Sequence, residues 1–339
     1  MSDPGAKMDD GRRTSDAGKT RVLADGVVQV FLPLPFKPTI INVYLVRAGD
    51  TWTLVDTGMH TGDSKRAFEG ALAEHGIAPN EITRIVCTHH HIDHYGTSGP
   101  YRELTHAEVF LHPLEAERAA ASATATGENE AWNARNGVPA AAPEKRMPSP
   151  SLAFGTLYKP AIPDALLADG DEIPLGDGRR LDVVWTPGHT AGHCCLLLQP
   201  DGILFVGDHL LPKITPHVGV YPNGPENPLG DFLTSHEKVK RLDARLVCPA
   251  HGGAYEDHRR RASQLIDFHR VRKMTMLDEI RRRPMTPYEV ALEAFAISPD
   301  NRFQVMAATS ETLAHLELLR LEGRALRAEE HGVLRYRAR

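Results

Sequence analysis

Short apolar and β-branched runs broken by Gly, Pro and Asp dominate the chain up to about Cys248, and a longer period takes over after Tyr255. Residues 26–32 alternate and predict a strand. Residues 33–38, with three prolines around Phe36, predict a loop. Strands follow over 39–46 and 51–56, joined by a Gly49-Asp50 turn. Ala67, Phe68, Ala71 and Leu72 share one face of a helix over 62–75, with Gly76 as its C-cap. Further strands are expected over 81–87, 109–111, 180–185, 194–198, 202–206 and 246–248. Ala262, Leu265, Ile266, His269, Met276, Leu277 and Ile280 then keep helical spacing, predicting an amphipathic helix over 256–283. A second helix starts at Met285, with Thr286 as N-cap and Pro287 in its first turn. A third covers 304–322 and is closed by Gly323, and 325–327 pairs with 333–336 as a hairpin. The pattern is α/β, with two sheets and helices outside, followed by three helices and a hairpin in winged-helix order.

Residues 113–165 stand apart. They open as an Ala/Glu-rich helix over 113–124 and turn Pro/Ala/Ser-rich from 137 to 150, with Trp132, Met147, Phe154, Leu157 and Tyr158 scattered through them. A long insertion of low strand content between core strands reads as a lid or a pocket wall. The chain divides into a polar tail (1–20) expected to be disordered, a strand-rich domain (21–254) and a small C-terminal domain (255–339).

Composition narrows the partners. A net charge of -5 on 339 residues speaks against nucleic acid. From Tyr255 onward 16 Lys and Arg face 13 Asp and Glu, a small basic excess. No run of 18 apolar residues exists, so no membrane span is expected. Cys87, Cys194, Cys195 and Cys248 have no disulfide or zinc-knuckle spacing and read as reduced core residues, which fits the cytoplasm. The pattern leaves room for a homodimer.

The chemistry gathers at strand ends. Thr88-His-His-His-Ile-Asp-His94 follows the strand ending at Cys87, and Thr186-Pro-Gly-His189 follows the one ending at Trp185. Asp208 and His251 each follow a later strand. His89, His91 and His189 make one three-imidazole set, and Asp93, His94 and His251 make another. The two oxygens of Asp208 could bridge them. Imidazole and carboxylate without thiolate suit two zinc ions, with iron or manganese as alternatives. Three ligands and a bridge leave open positions, the mark of a catalytic site. His90 is expected to point away and His193 to stay off the metals. Lys213, His209, His217 and Tyr95 are candidates to reach substrate, and His269 reads as an interface residue.

This constellation resembles the metallo-β-lactamase superfamily in its glyoxalase II-like pattern, across roughly Val27 to Gly253. The resemblance implies a four-layer αββα sandwich with metals at one sheet edge. It also implies that Asp56, in Leu54-Val-Asp-Thr-Gly58, supports a ligand without binding metal itself. The C-terminal part is similar to the winged-helix appendix of lactamase-like hydrolases. The expected activity is hydrolysis of a thioester or ester of a small acyl substrate by a hydroxide shared between two metals, with Asp93 and Asp208 orienting it. Lactone or β-lactam hydrolysis is one alternative. Phosphodiester cleavage of RNA, aided by Arg281, Arg282, Arg283, Arg327, Arg335 and Arg337, is another.

Overall fold

The computed structural model describes residues 16–124, 130–140, 155–176 and 178–339. One sheet runs in chain order through β1 (Thr20–Ala24), β2 (Val27–Pro33), β3 (Ile40–Ala48), β4 (Thr51–Val55), β5 (Ile82–Val86), β6 (Glu108–Leu111) and β7 (Ala165–Leu166). It is antiparallel as far as β4 and parallel from β4 to β7. The second sheet has the order β12-β11-β10-β9-β8, built from β8 (Glu172–Pro174), β9 (Arg180–Trp185), β10 (Cys194–Gln199), β11 (Ile203–Gly207) and β12 (Leu246–Pro249). Only its β11–β12 pair is parallel.

Strand periodicity decides the layers. Ile41, Val43 and Leu45 of β3 face outward onto Phe68, Ala71 and Leu72 of α1 (Gly62–Glu74). Tyr44 and Val46 face inward onto Leu196, Leu198 and Phe205 of the second sheet. Cys195 and Leu197 of β10 face out the other side, under Val239 of α6 (Pro228–Val239) and under Ala262 and Leu265 of α7 (His258–Arg282). The result is helix, sheet, sheet, helix. The four cysteines are buried and free, as their apolar surroundings predict.

Helices α7, α8 (Pro287–Ala294) and α9 (Arg302–Leu321), with the hairpin β13 (Ala325–Glu330) and β14 (Val333–Ala338), enclose a separate core around Met276, Ile280, Leu316 and Tyr336. Thr286 caps α8 by accepting from the Glu289 N–H, and the Glu289 carboxylate returns the bond to the Thr286 N–H. The division at 254/255 therefore falls just ahead of a helix that serves two cores. Its first half covers the second sheet and its second half builds the C-terminal core.

The tail begins earlier than expected to take part in the fold. Gly18 N–H donates to Phe31 O, and Thr20 opens β1; residues 1–15 lie outside the described residues. Met147 and Phe154 also lie outside them. Among the described residues four helices escaped the sequence reading. One lies in the insertion, and the others are the short α2 (Ile92–Tyr95), α3 (Ser98–Thr105) and α6, where Asn227 accepts from Gly230 N–H and Pro228 takes the first position. The insertion contributes α4 (Pro113–Thr124) and α5 (Glu130–Arg135). It docks on the C-terminal domain: Arg135 pairs with Glu329 at 3.1 Å, and Tyr288 N–H donates to Asn136 O. Among the described residues no helix is long and apolar enough to cross a membrane.

Candidate metal centre

The C-terminal ends of β4, β5, β9, β11 and β12 converge on one edge of the sandwich, and each hands over a polar side chain. The edge is tight. At Gly207, φ is +46°, and a Cβ there would lie 2.6 Å from Thr88 Oγ1 and 2.7 Å from His193 Nε2. At Gly188, φ is +142°, and a Cβ would meet the Cβ of Phe232 at 2.4 Å. Only glycine lets these turns pass so close to their neighbours.

All seven side chains expected to hold metal meet here. His89 Nε2 and His189 Nε2 each lie 3.0 Å from His91 Nδ1. Asp93 Oδ2 lies 3.2 Å from His251 Nε2 and 3.9 Å from His94 Nε2. Asp208 stands between the sets: Oδ1 is 3.6 Å from both His94 Nε2 and His251 Nε2, and Oδ2 is 3.6 Å from His189 Nε2. His94 Nε2 and Asp208 Oδ1 are buried without a hydrogen-bond partner. Burying such atoms unpaired is costly. A cation would satisfy both, so the donor set fits divalent metal.

The other faces of these imidazoles are fixed. His94 Nδ1 bonds Asp56 Oδ2 at 2.9 Å, and Asp56 Oδ1 accepts from the Thr88 N–H at 2.8 Å. Thr88 Oγ1 reaches His89 Nδ1 at 3.0 Å, His189 Nδ1 donates to His217 O at 2.7 Å, and His251 Nδ1 donates to Ile40 O at 3.0 Å. These contacts leave the opposite nitrogen of His89, His94, His189 and His251 to face the metal positions. Asp56 itself sits at φ +59°, which an aspartate tolerates better than most residues. Asn42 and Tyr44 of β3 clamp the His251 turn by donating to Pro249 O, both at 2.7 Å.

Electrostatics follow the same division. Burial, together with neighbouring imidazoles, pushes His89 and His91 well below the usual histidine range, so both are neutral and able to ligate. Burial also lowers His189. Burial pushes Asp208 up, but His251, His94 and His189 outweigh it and hold the carboxyl well below its usual range. Asp93 is held down by His94 and His251 against the same opposing burial.

Glu115, from α4 of the insertion, was not singled out from the sequence because an Ala/Glu-rich helix gives no hint of a buried carboxylate. It is fully buried and pins two metal-bearing turns together. Its Oε2 accepts from the His90 N–H at 2.9 Å and bonds His90 Nδ1, and its Oε1 accepts from the Gly192 N–H at 2.6 Å. His90 thus turns away from the ligands, as expected. Burial pushes Glu115 up, but bonds to His90 outweigh it and lower the carboxyl to about 2. Because the folded value is depressed from 4.5, the stability it contributes is complete above that value and is lost as pH falls toward 2. At about 1.4 kcal/mol per pH unit the contribution is about 3 kcal/mol. Glu115→Gln is expected to lose most of it at neutral pH and to flatten the acid limb of stability. Urea unfolding near neutrality and near pH 4 measures this; an acid limb as steep as the wild type's rejects it.

The remaining candidates sort clearly. His193 bonds Thr186 Oγ1 at 2.9 Å and joins no metal-competent cluster among the described residues. His209 is buried among His193, Phe232 and His236. Tyr95 is buried and donates to Ala161 O at 3.1 Å. Lys213 is exposed and does not line the cavity beside the centre, whereas His217 does. His269 is buried between the domains, as expected of an interface residue: its ring meets Phe232 of α6 and it bonds His315 at 3.2 Å. The cavity holds 540 Å³ and opens onto His91 and His189. Leu114 and Arg118 of the insertion line it together with His217 and Tyr221.

Residues 36–251 match the family described as the metallo-beta-lactamase superfamily, and residues 274–339 match the metallo-beta-lactamase-like C-terminal domain. The chain belongs to this superfamily of metal-dependent hydrolases. It is similar to the crystal structure of the metallo-beta-lactamase family protein TTHA1429 from Thermus thermophilus, at 34% identity and TM-score 0.78, covering 94% of this chain and 100% of that one. It is 26% identical to the "Probable metallo-hydrolase YqjP" of Bacillus subtilis over 319 residues, 88% of this chain and 93% of the relative. A Bos taurus protein named acyl-coenzyme A thioesterase MBLAC2 is 34% identical over 176 residues, 49% of this chain and 57% of its own length.

Proposed function

We propose that this protein is a two-zinc hydrolase of thioesters and activated esters with an acyl group of moderate size. The observation that carries the reading is Asp208, whose two oxygens each face a different ligand set, beside a cavity that opens onto the same edge. His89, His91 and His189 would hold one ion and Asp93, His94 and His251 the other, where two ions supply a Lewis acid for the carbonyl and an activated water. The chain's own residues do the rest. Asp208 and Asp93 stay ionised and orient the attacking water, while Asp56 and Thr88 keep the imidazoles aimed. Leu114, Tyr221 and Pro228 give the cavity apolar walls suited to an acyl chain.

The leaving group argues for thioesters. A thiolate departs without a proton, whereas an amine or alkoxide needs an acid beside it. Similarity to a named acyl-coenzyme A thioesterase supports the same choice. Phosphodiester cleavage is disfavoured because most of the arginines that could hold phosphate are paired with carboxylates, Arg337 being exposed. Arg281, Arg282 and Arg283 pair with Asp278, Glu279 and Glu289, and Arg327 pairs with Glu317.

The test is a panel of acyl-coenzyme A, S-acylglutathione, aryl ester, lactone, cephalosporin and single-stranded RNA, given to zinc-loaded protein. Turnover of the thioesters ahead of all other members is expected. No thioester turnover by protein that retains both metals rejects the reading.

A further inference from the structure

The wall of the cavity that carries Tyr221 is held by the C-terminal domain. Tyr221 is half-exposed at the cavity, and its ring stacks with Trp132 at a 6.3 Å centroid distance. Its hydroxyl meets His217 Nε2 at 2.7 Å and Ser310 Oγ at 3.1 Å. The other ring nitrogen, His217 Nδ1, faces Glu311 Oε2 at 3.7 Å. Ser310 and Glu311 are neighbours on α9, more than eighty positions further along the chain.

The α9 end of this chain is rigid. Glu311 Oε1 accepts from Arg272 at 2.5 Å, and its backbone carbonyl accepts from His315 Nδ1 at 2.8 Å. Ser310 Oγ, 2.9 Å from Ala307 O and 3.2 Å from His217 Nε2, donates to the Tyr221 oxygen. Below it, Val218, Leu229, Phe232, Ala314 and Leu318 bury the joint between the loop and α9. The His217 carbonyl meanwhile accepts from His189 Nδ1. With Nδ1 facing the Glu311 carboxylate, the imidazole is placed to donate through Nε2 to the phenol oxygen, which leaves the phenol's own proton for a further acceptor.

We infer that Tyr221 is a substrate-contacting residue whose hydroxyl donates a hydrogen bond to the acyl substrate in the cavity, with Glu311 and Ser310 of the C-terminal domain as its positioning residues. No covalent step is involved. The C-terminal domain is then a part of the active site, and the hydroxyl adds a fixed donor to the cavity wall. This rests on the hydrolase reading of the metal centre.

The test uses the full chain, zinc-loaded, as wild type, Tyr221→Phe, Glu311→Ala and the double variant, on whichever thioester the wild type cleaves best. Tyr221→Phe is expected to lower kcat/KM about tenfold to a hundredfold with both metals retained, somewhat less than the loss of an oxyanion donor. Glu311→Ala is expected to raise KM and lower kcat in the same sense. The double variant should be no worse than the weaker single, because the two act through one contact. Calorimetry with a non-hydrolysable acyl thioether reads the contact without turnover, and Tyr221→Phe should bind it about tenfold more weakly. An inactive wild type that retains its metals rejects the hydrolase reading. An active wild type matched by Tyr221→Phe in kcat, KM and thioether affinity overturns the inference. So does a Glu311→Ala loss that appears only together with loss of metal.

Discussion

Asp208→Ala is expected to lower kcat/KM by about a thousandfold or more, which corresponds to about 4 kcal/mol of transition-state stabilisation. Among the described residues no other side chain in the cluster offers two oxygens to two sets of imidazoles. Without it, His94 and His251 keep Asp93, but the second set loses the carboxylate that faces both positions. The same change removes a buried anion that three imidazoles stabilise. Metal content should fall below two per chain, and kcat should fall much further than KM rises, because the side chain contacts no part of the acyl group. Elemental analysis alongside steady-state kinetics measures both. A variant that holds two metals and keeps a tenth of wild-type kcat rejects the assignment.

Removing metal is expected to cost the fold as well as the activity. An ion bound a thousandfold above its Kd adds about 4 kcal/mol to the folded state. For a domain of this size that corresponds to a Tm fall of roughly 10 °C when a chelator strips one such site. The physical cause is visible in the cluster. His94 Nε2 and Asp208 Oδ1 have no hydrogen-bond partner in the protein, and Asp93 and Asp208 share a small buried volume. Calorimetric melting before and after dialysis against chelator, with zinc added back, measures the effect. Protein proven metal-free that melts at the original temperature refutes it.

Much of this was legible in the chain because strand ends and ligands lie close together in sequence. The run from Thr88 to His94 needs no long-range contact to be read, since four candidate ligands occur within six residues. His189, Asp208 and His251 were legible because glycine or proline beside each signals a sharp turn after an apolar run. What was missed depends on contacts that sequence does not display. Glu115 looks like any helical glutamate until α4 folds over the His90 turn. Tyr221 gains its partners from Ser310 and Glu311, on a helix that local pattern cannot place beside it. Helix α3 was hidden by Gly99 and Pro100, which read as breakers yet fall in its first turn, where a missing N–H does no harm. In α6 the signal was present, as Asn227 followed by Pro228, but Pro212, Pro216, Pro222 and Pro225 crowd turn signals ahead of it.

Helix α7 has a consequence for how this protein leaves the ribosome. Cys195, Leu197 and Leu204 form an apolar face that α6 and the first turns of α7 help to cover, with Leu210, Leu242 and Tyr255. Burying a leucine such as Leu265 is worth about 2 kcal/mol, a large share of any domain's margin. During synthesis this face lacks its full cover until Leu265 has cleared the exit tunnel, on a helix that runs on into the C-terminal core. Synthesis delivers the metal-binding edge first and its completing wall last. The nascent chain has every ligand in hand by His251 while its second sheet still exposes a sticky face.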